Sequence, residues 1–172
     1  MRNLYLLRHA KSSWDDPVLD DFDRPLSGRG YKAASLVAAF LAESRIRPAI
    51  ALVSAARRTR ATWEAIEPAL LGVPVAFERE LYEAAKGELV ERLRRLDDHL
   101  GSVLLVGHNP GLEKLTQSLV HGHGEPAALR HLSAKFPTGA LAVLETDIAH
   151  WAQLDAGTCR LTRFIRPKDL EG

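Results

Sequence analysis

The chain has a single cysteine, Cys159, in 172 residues. No disulfide can form within it, and that scarcity fits a reducing compartment. It has no surplus of either charge: 23 Lys and Arg stand against 22 Asp and Glu. No overall field therefore draws it to nucleic acid or to a membrane surface. It has no long hydrophobic run either. The first apolar stretch, Leu4-Tyr5-Leu6-Leu7, is cut off by Arg8, too short for a secretory signal. No other stretch approaches membrane-spanning length. Repeats, low-complexity tracts and linkers are missing as well. The expectation is one domain over residues 1–172, large enough to bury a core without metals or disulfides, and cytoplasmic.

What is present is an alternation of short apolar runs with helical patterns, the mark of an α/β fold with a mainly parallel sheet. Strands are expected at Leu4–Leu7, Ile50–Val53, Val73–Phe77, Val103–Val106, Ala140–Leu144 and Arg160–Ile165. A helix should start after Ser27, a good cap, with Ala34, Val37, Ala38 and Leu41 on one face. Further helices are expected from Arg57 to about Leu70 and from Glu88 to Leu96, and another opened by Pro110 with Asn109 as its cap. Cys159, beside the final strand, reads as a sheet or core residue rather than a nucleophile.

The chemistry gathers at strand ends. Arg8-His9 follows the first strand, and Gly107-His108-Asn109-Pro110-Gly111 follows the strand at Val103–Val106. In an open α/β sheet the carboxyl ends of parallel strands are where ligands bind. A lone strand-end histidine is ordinarily a packing or solvent-facing residue. Two of them, plus Ser54-Ala55-Ala56-Arg57-Arg58-Thr59-Arg60-Ala61-Thr62 after a third strand, point to one site assembled from distant segments.

In these segments the chain resembles the histidine phosphatase superfamily, which also contains the cofactor-dependent phosphoglycerate mutases. Arg8-His9-Ala10 corresponds to the family's Arg-His-Gly. Ser54, Arg58 and Thr62 correspond to its Ser, Arg and Thr spaced by four, and Gly107-His108 to its late Gly-His. Arg8 through Trp14, Arg24-Pro25-Leu26-Ser27-Gly28-Arg29-Gly30 and Gly107 through Gly111 are most similar to the small SixA-type phosphohistidine phosphatase branch. Ala10 in place of Gly, and Ala55-Ala56 in place of a frequent Pro-Leu, depart from the pattern without touching the phosphate-binding positions.

The resemblance implies a three-layer α/β/α sandwich of the phosphoglycerate mutase-like kind and a metal-independent, cofactor-free phosphatase. It makes His9 the nucleophile, a neutral imidazole attacking phosphorus to give a phosphohistidine that water hydrolyses. Arg8 and Arg58 would grip the phosphoryl oxygens as planar donor forks. His108 would donate a further hydrogen bond, as imidazolium. Of the neighbouring arginines, the four-residue spacing from Ser54 selects Arg58 and leaves Arg57 and Arg60 to solvent.

The leaving group separates the substrate classes. An alkoxide needs a general acid, for which Glu83 is the candidate and Glu80 the runner-up. A leaving imidazole needs less help, and a short chain without capping insertions would admit a phosphohistidine on a protein surface. The first expectation is thus a protein phosphohistidine phosphatase, whose partner is a phosphorylated protein domain. The second is a phosphomonoesterase acting on a small phosphate ester with Glu83 as acid. The third is a non-catalytic phospho-ligand-binding module, for which an aimed nucleophile has no use. Length disfavours a mutase. The acidic segment Ser12–Leu26 reads as a solvated loop, and His121-Gly122-His123-Gly124 as an exposed turn rather than a metal site.

Overall fold

The computed structural model describes residues 1–171. Six strands form one sheet: β1 (Arg2–Arg8), β2 (Ile50–Ser54), β3 (Val75–Glu78), β4 (Ser102–Gly107), β5 (Leu141–Thr146) and β6 (Arg160–Ile165). Their order is β3-β2-β4-β1-β5-β6. The first four neighbours pair in parallel, while β5 is antiparallel to both β1 and β6. Five helices connect them, α1 (Gly28–Glu43), α2 (Arg57–Ile66), α3 (Lys86–Arg94), α4 (Gly111–Val120) and α5 (Pro126–Ala134), and a short α6 (Pro167–Leu170) follows β6.

The helices divide between the two faces because strand side chains alternate. Leu4 and Leu6 of β1 pack with Leu52, Val103 and Leu105 against Leu89 and Leu93 of α3, Leu112, Leu115 and Leu119 of α4 and Leu132 of α5. Leu7 packs with Ala51, Val53, Leu104 and Val106 against Val37 and Leu41 of α1 and Trp63 and Ile66 of α2. Three layers result, as expected for a central sheet that is apolar on both sides.

Local boundaries depart from the sequence reading for identifiable reasons. The helix expected to run to Leu70 leaves α geometry at Ile66 and tightens into a 3-10 turn over Glu67–Leu70, because Pro68 has no N–H to continue the ladder. The third strand lies at Val75–Glu78 rather than Val73–Phe77, the third helix at Lys86–Arg94, and the fifth strand at Leu141–Thr146. Ser27 caps α1 as expected, accepting from Gly30 N at 3.1 Å. Asn109 does not cap α4: its Nδ2 donates to Phe136 O at 2.9 Å, and Pro110 precedes the helix. Cys159 is buried just before β6, and burial pushes its thiol up to about 11, which fits a core role.

Candidate active site

Strand register builds the site. Arg8 pairs with Gly107, and Val53 pairs with Val106, so β1, β4 and β2 finish level with one another. The residue after each end therefore enters one space: His9 from β1, His108 from β4, and Ser54 with the first turn of α2 from β2. The His9 and His108 rings lie 5.3 Å apart, centroid to centroid. Arg58 closes the group, and all three side chains are buried, at 6%, 7% and 6% exposure for His9, His108 and Arg58.

His9 is held by its backbone and by one ring nitrogen. Its N–H donates to Gly107 O at 3.1 Å, and its carbonyl accepts from Gly139 N at 2.9 Å. Nδ1 lies 2.7 Å from the Ala10 carbonyl, an acceptor only, so Nδ1 carries the proton and Nε2 the lone pair. Burial, reinforced by the charges of Arg58, Arg8 and Arg24, lowers this imidazole to about 4 against the opposing pull of the Ala10 carbonyl. At neutral pH the ring is uncharged and nucleophilic at Nε2.

Burial, with His9 and Arg58 beside it, lowers His108 to about 3, so the ring is neutral in the unliganded site; the imidazolium expected from the sequence concerns the ring beside a charged phosphoryl group. Its Nε2 lies 2.7 Å from Ser54 Oγ. That hydroxyl already accepts from Ala56 N at 3.4 Å, and its own hydrogen has His108 Nε2 as acceptor. With the Ser54 hydrogen directed to Nε2, Nδ1–H is left as a donor, so a neutral ring can still give a hydrogen bond.

The rest of the motif is equally explicable. Thr62 Oγ1 accepts from Ala10 N at 3.0 Å and donates to Arg58 O at 2.7 Å, tying α2 to the backbone just past His9. Arg8 Nη1 donates to Phe136 O at 3.1 Å. Arg8 Nε, Arg58 Nε and His108 Nδ1 are buried with no hydrogen-bond partner among the described residues. Unpaired buried donors are rare and costly, and three in one cluster could satisfy an anion.

One group was missed by the sequence reading. Asp21, from the acidic Ser12–Leu26 loop, accepts from Arg58 Nη2 at 3.0 Å and from the Tyr82 hydroxyl at 2.5 Å, both through Oδ2. Its Oδ1 accepts from Arg24 Nε at 3.1 Å, and its carbonyl accepts from Arg58 Nη1 at 2.7 Å. Partial burial opposes ionisation, but Tyr82, Arg58 and Arg24 outweigh it and hold the carboxyl at about 2. Arg24 also donates to Ser12 Oγ at 2.7 Å and sits 3.4 Å over the Trp14 ring. The acid and base three apart in Asp21-Phe22-Asp23-Arg24 were the available signal. Asp15, Asp16, Asp20 and Asp23 are exposed, as expected of the loop.

The carboxylate candidates separate. Glu80 is drawn away to Arg95, at 3.2 Å, and toward Arg92, at 3.7 Å. Glu83 is exposed, at a left-handed φ of 57°, directly after Tyr82. Tyr82 stands edge-on to His108 at 5.5 Å, and burial together with Asp21 and Glu83 raises its phenol to about 12. Glu83 is therefore one residue from the cluster and Glu80 is outside it. Arg57 and Arg60 are exposed, Arg60 lying over the Phe77 ring.

The profile of the histidine phosphatase superfamily (branch 1) matches residues 4–99. An uncharacterized protein of Mycobacterium tuberculosis is 34% identical over 163 residues, covering 94% of this chain and all of the relative. A candidate phosphohistidine phosphatase SixA from Agrobacterium tumefaciens superposes with a TM-score of 0.82 at 33% identity, covering 96% of this chain and 98% of that one. A second, from Nakamurella multipartitia, gives 0.84 at 28% identity over 96% of each chain.

Proposed function

The chain belongs to the histidine phosphatase superfamily, to its SixA type, and from that membership we propose that it hydrolyses phosphohistidine on a protein through a phosphohistidine formed on His9. The observation that carries this reading is the cluster itself: a neutral imidazole with Nδ1 tied to Ala10 O, beside three buried donors without partners. Nε2 of His9 attacks phosphorus in line, the new N–P bond forms, and the bond to the leaving imidazole breaks. That imidazole keeps the bonding pair and takes a proton from solvent. Arg8, Arg58 and His108 Nδ1–H stabilise the charge on the equatorial oxygens, where preorganised donors contribute most. Water then attacks the phosphohistidine and returns His9 with inorganic phosphate. Asp21 holds Arg58 through Nη1 and Nη2 and leaves Nε as the donor free for the phosphoryl group.

A small phosphate ester is the second reading, favoured by one observation: Glu83 follows Tyr82, whose ring meets His108. An exposed carboxyl there could protonate an alkoxide leaving group. Parallel assays decide between them. Turnover of a histidine-phosphorylated protein far above that of alkyl phosphates supports the first reading, and the opposite order supports the second. Phosphate binding without turnover of either would make the protein a phospho-ligand module.

A further inference from the structure

We propose that the groove between the start of α1, the 135–139 turn and α6 docks an acidic protein segment flanking the phosphorylated histidine, a proposal that rests on the phosphohistidine reading of the site. Two adjoining cavities of about 420 and 370 Å3 form this groove and share Arg29, Thr138, Pro167 and Glu171. Lys11, Arg29, Lys32, Lys135 and Lys168 line it, and all five are exposed. None has an ion-pair partner among the described residues. The acids at hand are Glu171 and Asp169, and Asp169 is taken up by Arg166 at 2.7 Å. In a chain whose charges nearly cancel, with 23 basic against 22 acidic residues, this is a local concentration of cations.

The groove is tied to the site through its wall. Gly139 N donates to the carbonyls of Arg8, at 3.1 Å, and His9, at 2.9 Å, so the turn on that wall is fastened to His9. Arg8 Nη1 holds Phe136 O in the same turn, and Lys11 lies two residues beyond His9. On this proposal a polypeptide lying along the groove would bring a neighbouring residue to His9. The cations are flexible, exposed and spread out, which suits several carboxylates rather than a single bound anion. The loop over the other part of the site carries exposed Asp15, Asp16, Asp20 and Asp23. Beside that loop Arg57 and Arg60 share a cavity with Asp23, so the charges there are mixed, whereas those of the groove are mainly positive. A nucleic acid, anionic along its whole length, would meet that loop, whereas a protein can be acidic on one flank only.

The test uses the full chain and three peptides phosphorylated on one histidine with phosphoramidate, flanked by Asp and Glu, by Ser, or by Lys. The expected result is a kcat/KM for the acidic peptide about tenfold above the neutral one at low salt, shrinking as salt rises. In Lys32→Glu/Lys135→Glu/Lys168→Glu the order should invert while turnover of phosphoramidate stays unchanged, and the milder Lys→Gln set should abolish the preference. Equal values for all three peptides would overturn the groove and leave the phosphatase reading standing. Absence of turnover on phosphoramidate and every peptide would instead remove the phosphatase reading. Fluorescence anisotropy of the unphosphorylated acidic peptide, wild type against the triple variant, then still decides the groove, and equal binding overturns it. Tighter binding of a short single-stranded RNA than of the acidic peptide would also overturn it.

Discussion

Asp21 occupies Arg58 through two atoms at once, its Oδ2 at 3.0 Å from Nη2 and its carbonyl oxygen at 2.7 Å from Nη1. On the proposed reading an acidic side chain thus stands on the guanidinium whose free Nε would meet the phosphoryl group. Asp21→Asn keeps the shape and removes the charge. Because the carboxylate is partly exposed, the competing interaction is worth about 1 kcal/mol or less. Orthovanadate should inhibit the variant at a several-fold lower concentration than wild type. Weaker inhibition would mean that the carboxylate chiefly positions Arg58.

Arg58→Ala and His108→Ala should each lower kcat/KM on the order of 10²–10³-fold, the usual loss for one oxyanion donor. Ser54→Ala should be milder in catalysis. It leaves His108 Nε2 buried without a partner, which costs ~1–3 kcal/mol of stability. Chemical denaturation and steady-state kinetics on the three variants check both statements. A Ser54→Ala protein with unchanged stability would contradict the buried Ser54–His108 hydrogen bond.

Stability should fall as pH drops from 7 to 5. The two site imidazoles are lowered from 6.5 to about 4 and about 3, so in this window the unfolded chain binds protons that the folded chain refuses. The stability present above the unfolded value is lost on acidification, at up to ~1.4 kcal/mol per pH unit for each ring. Urea midpoints at pH 7, 6 and 5 should decline, and His9→Asn with His108→Asn should flatten the trend. A flat wild-type profile would contradict buried neutral rings.

Glu83→Gln should leave phosphohistidine turnover within about threefold while Glu80→Gln changes nothing, since a leaving imidazole needs little acid help. A large loss with Glu83→Gln on alkyl phosphates but not on aryl phosphates would favour the ester reading. Paired leaving-group series on the two variants separate these outcomes.

Much of this arrangement was legible before any coordinates, for a definite reason. Apolar runs ended by Arg8, Ser54 and Gly107 mark strand ends, and parallel strands put such ends on one edge of a sheet. The motif residues then meet by register alone. What sequence could not supply was the work of loops. Asp21 stands among five similar aspartates, and only the path of the Ser12–Leu26 segment, bridged at Ser12 and Leu26, decides which one reaches Arg58. The neutral resting state of His108 was not legible because desolvation depends on packing that periodicity does not encode. Gly111 shows a third kind of hidden constraint. A Cβ there would lie 2.1 Å from Ala84 O, so its glycine lets the segment carrying Tyr82 and Glu83 close over α4.

The central claim is that His9 itself becomes phosphorylated. The most direct measurement is rapid acid-free denaturation during turnover of a 32P-labelled histidine-phosphorylated protein, followed by peptide mapping. The account predicts acid-labile, base-stable label on the peptide containing His9, and none in His9→Ala, which should also be inactive. Label on another residue, or full activity in His9→Ala, would contradict it.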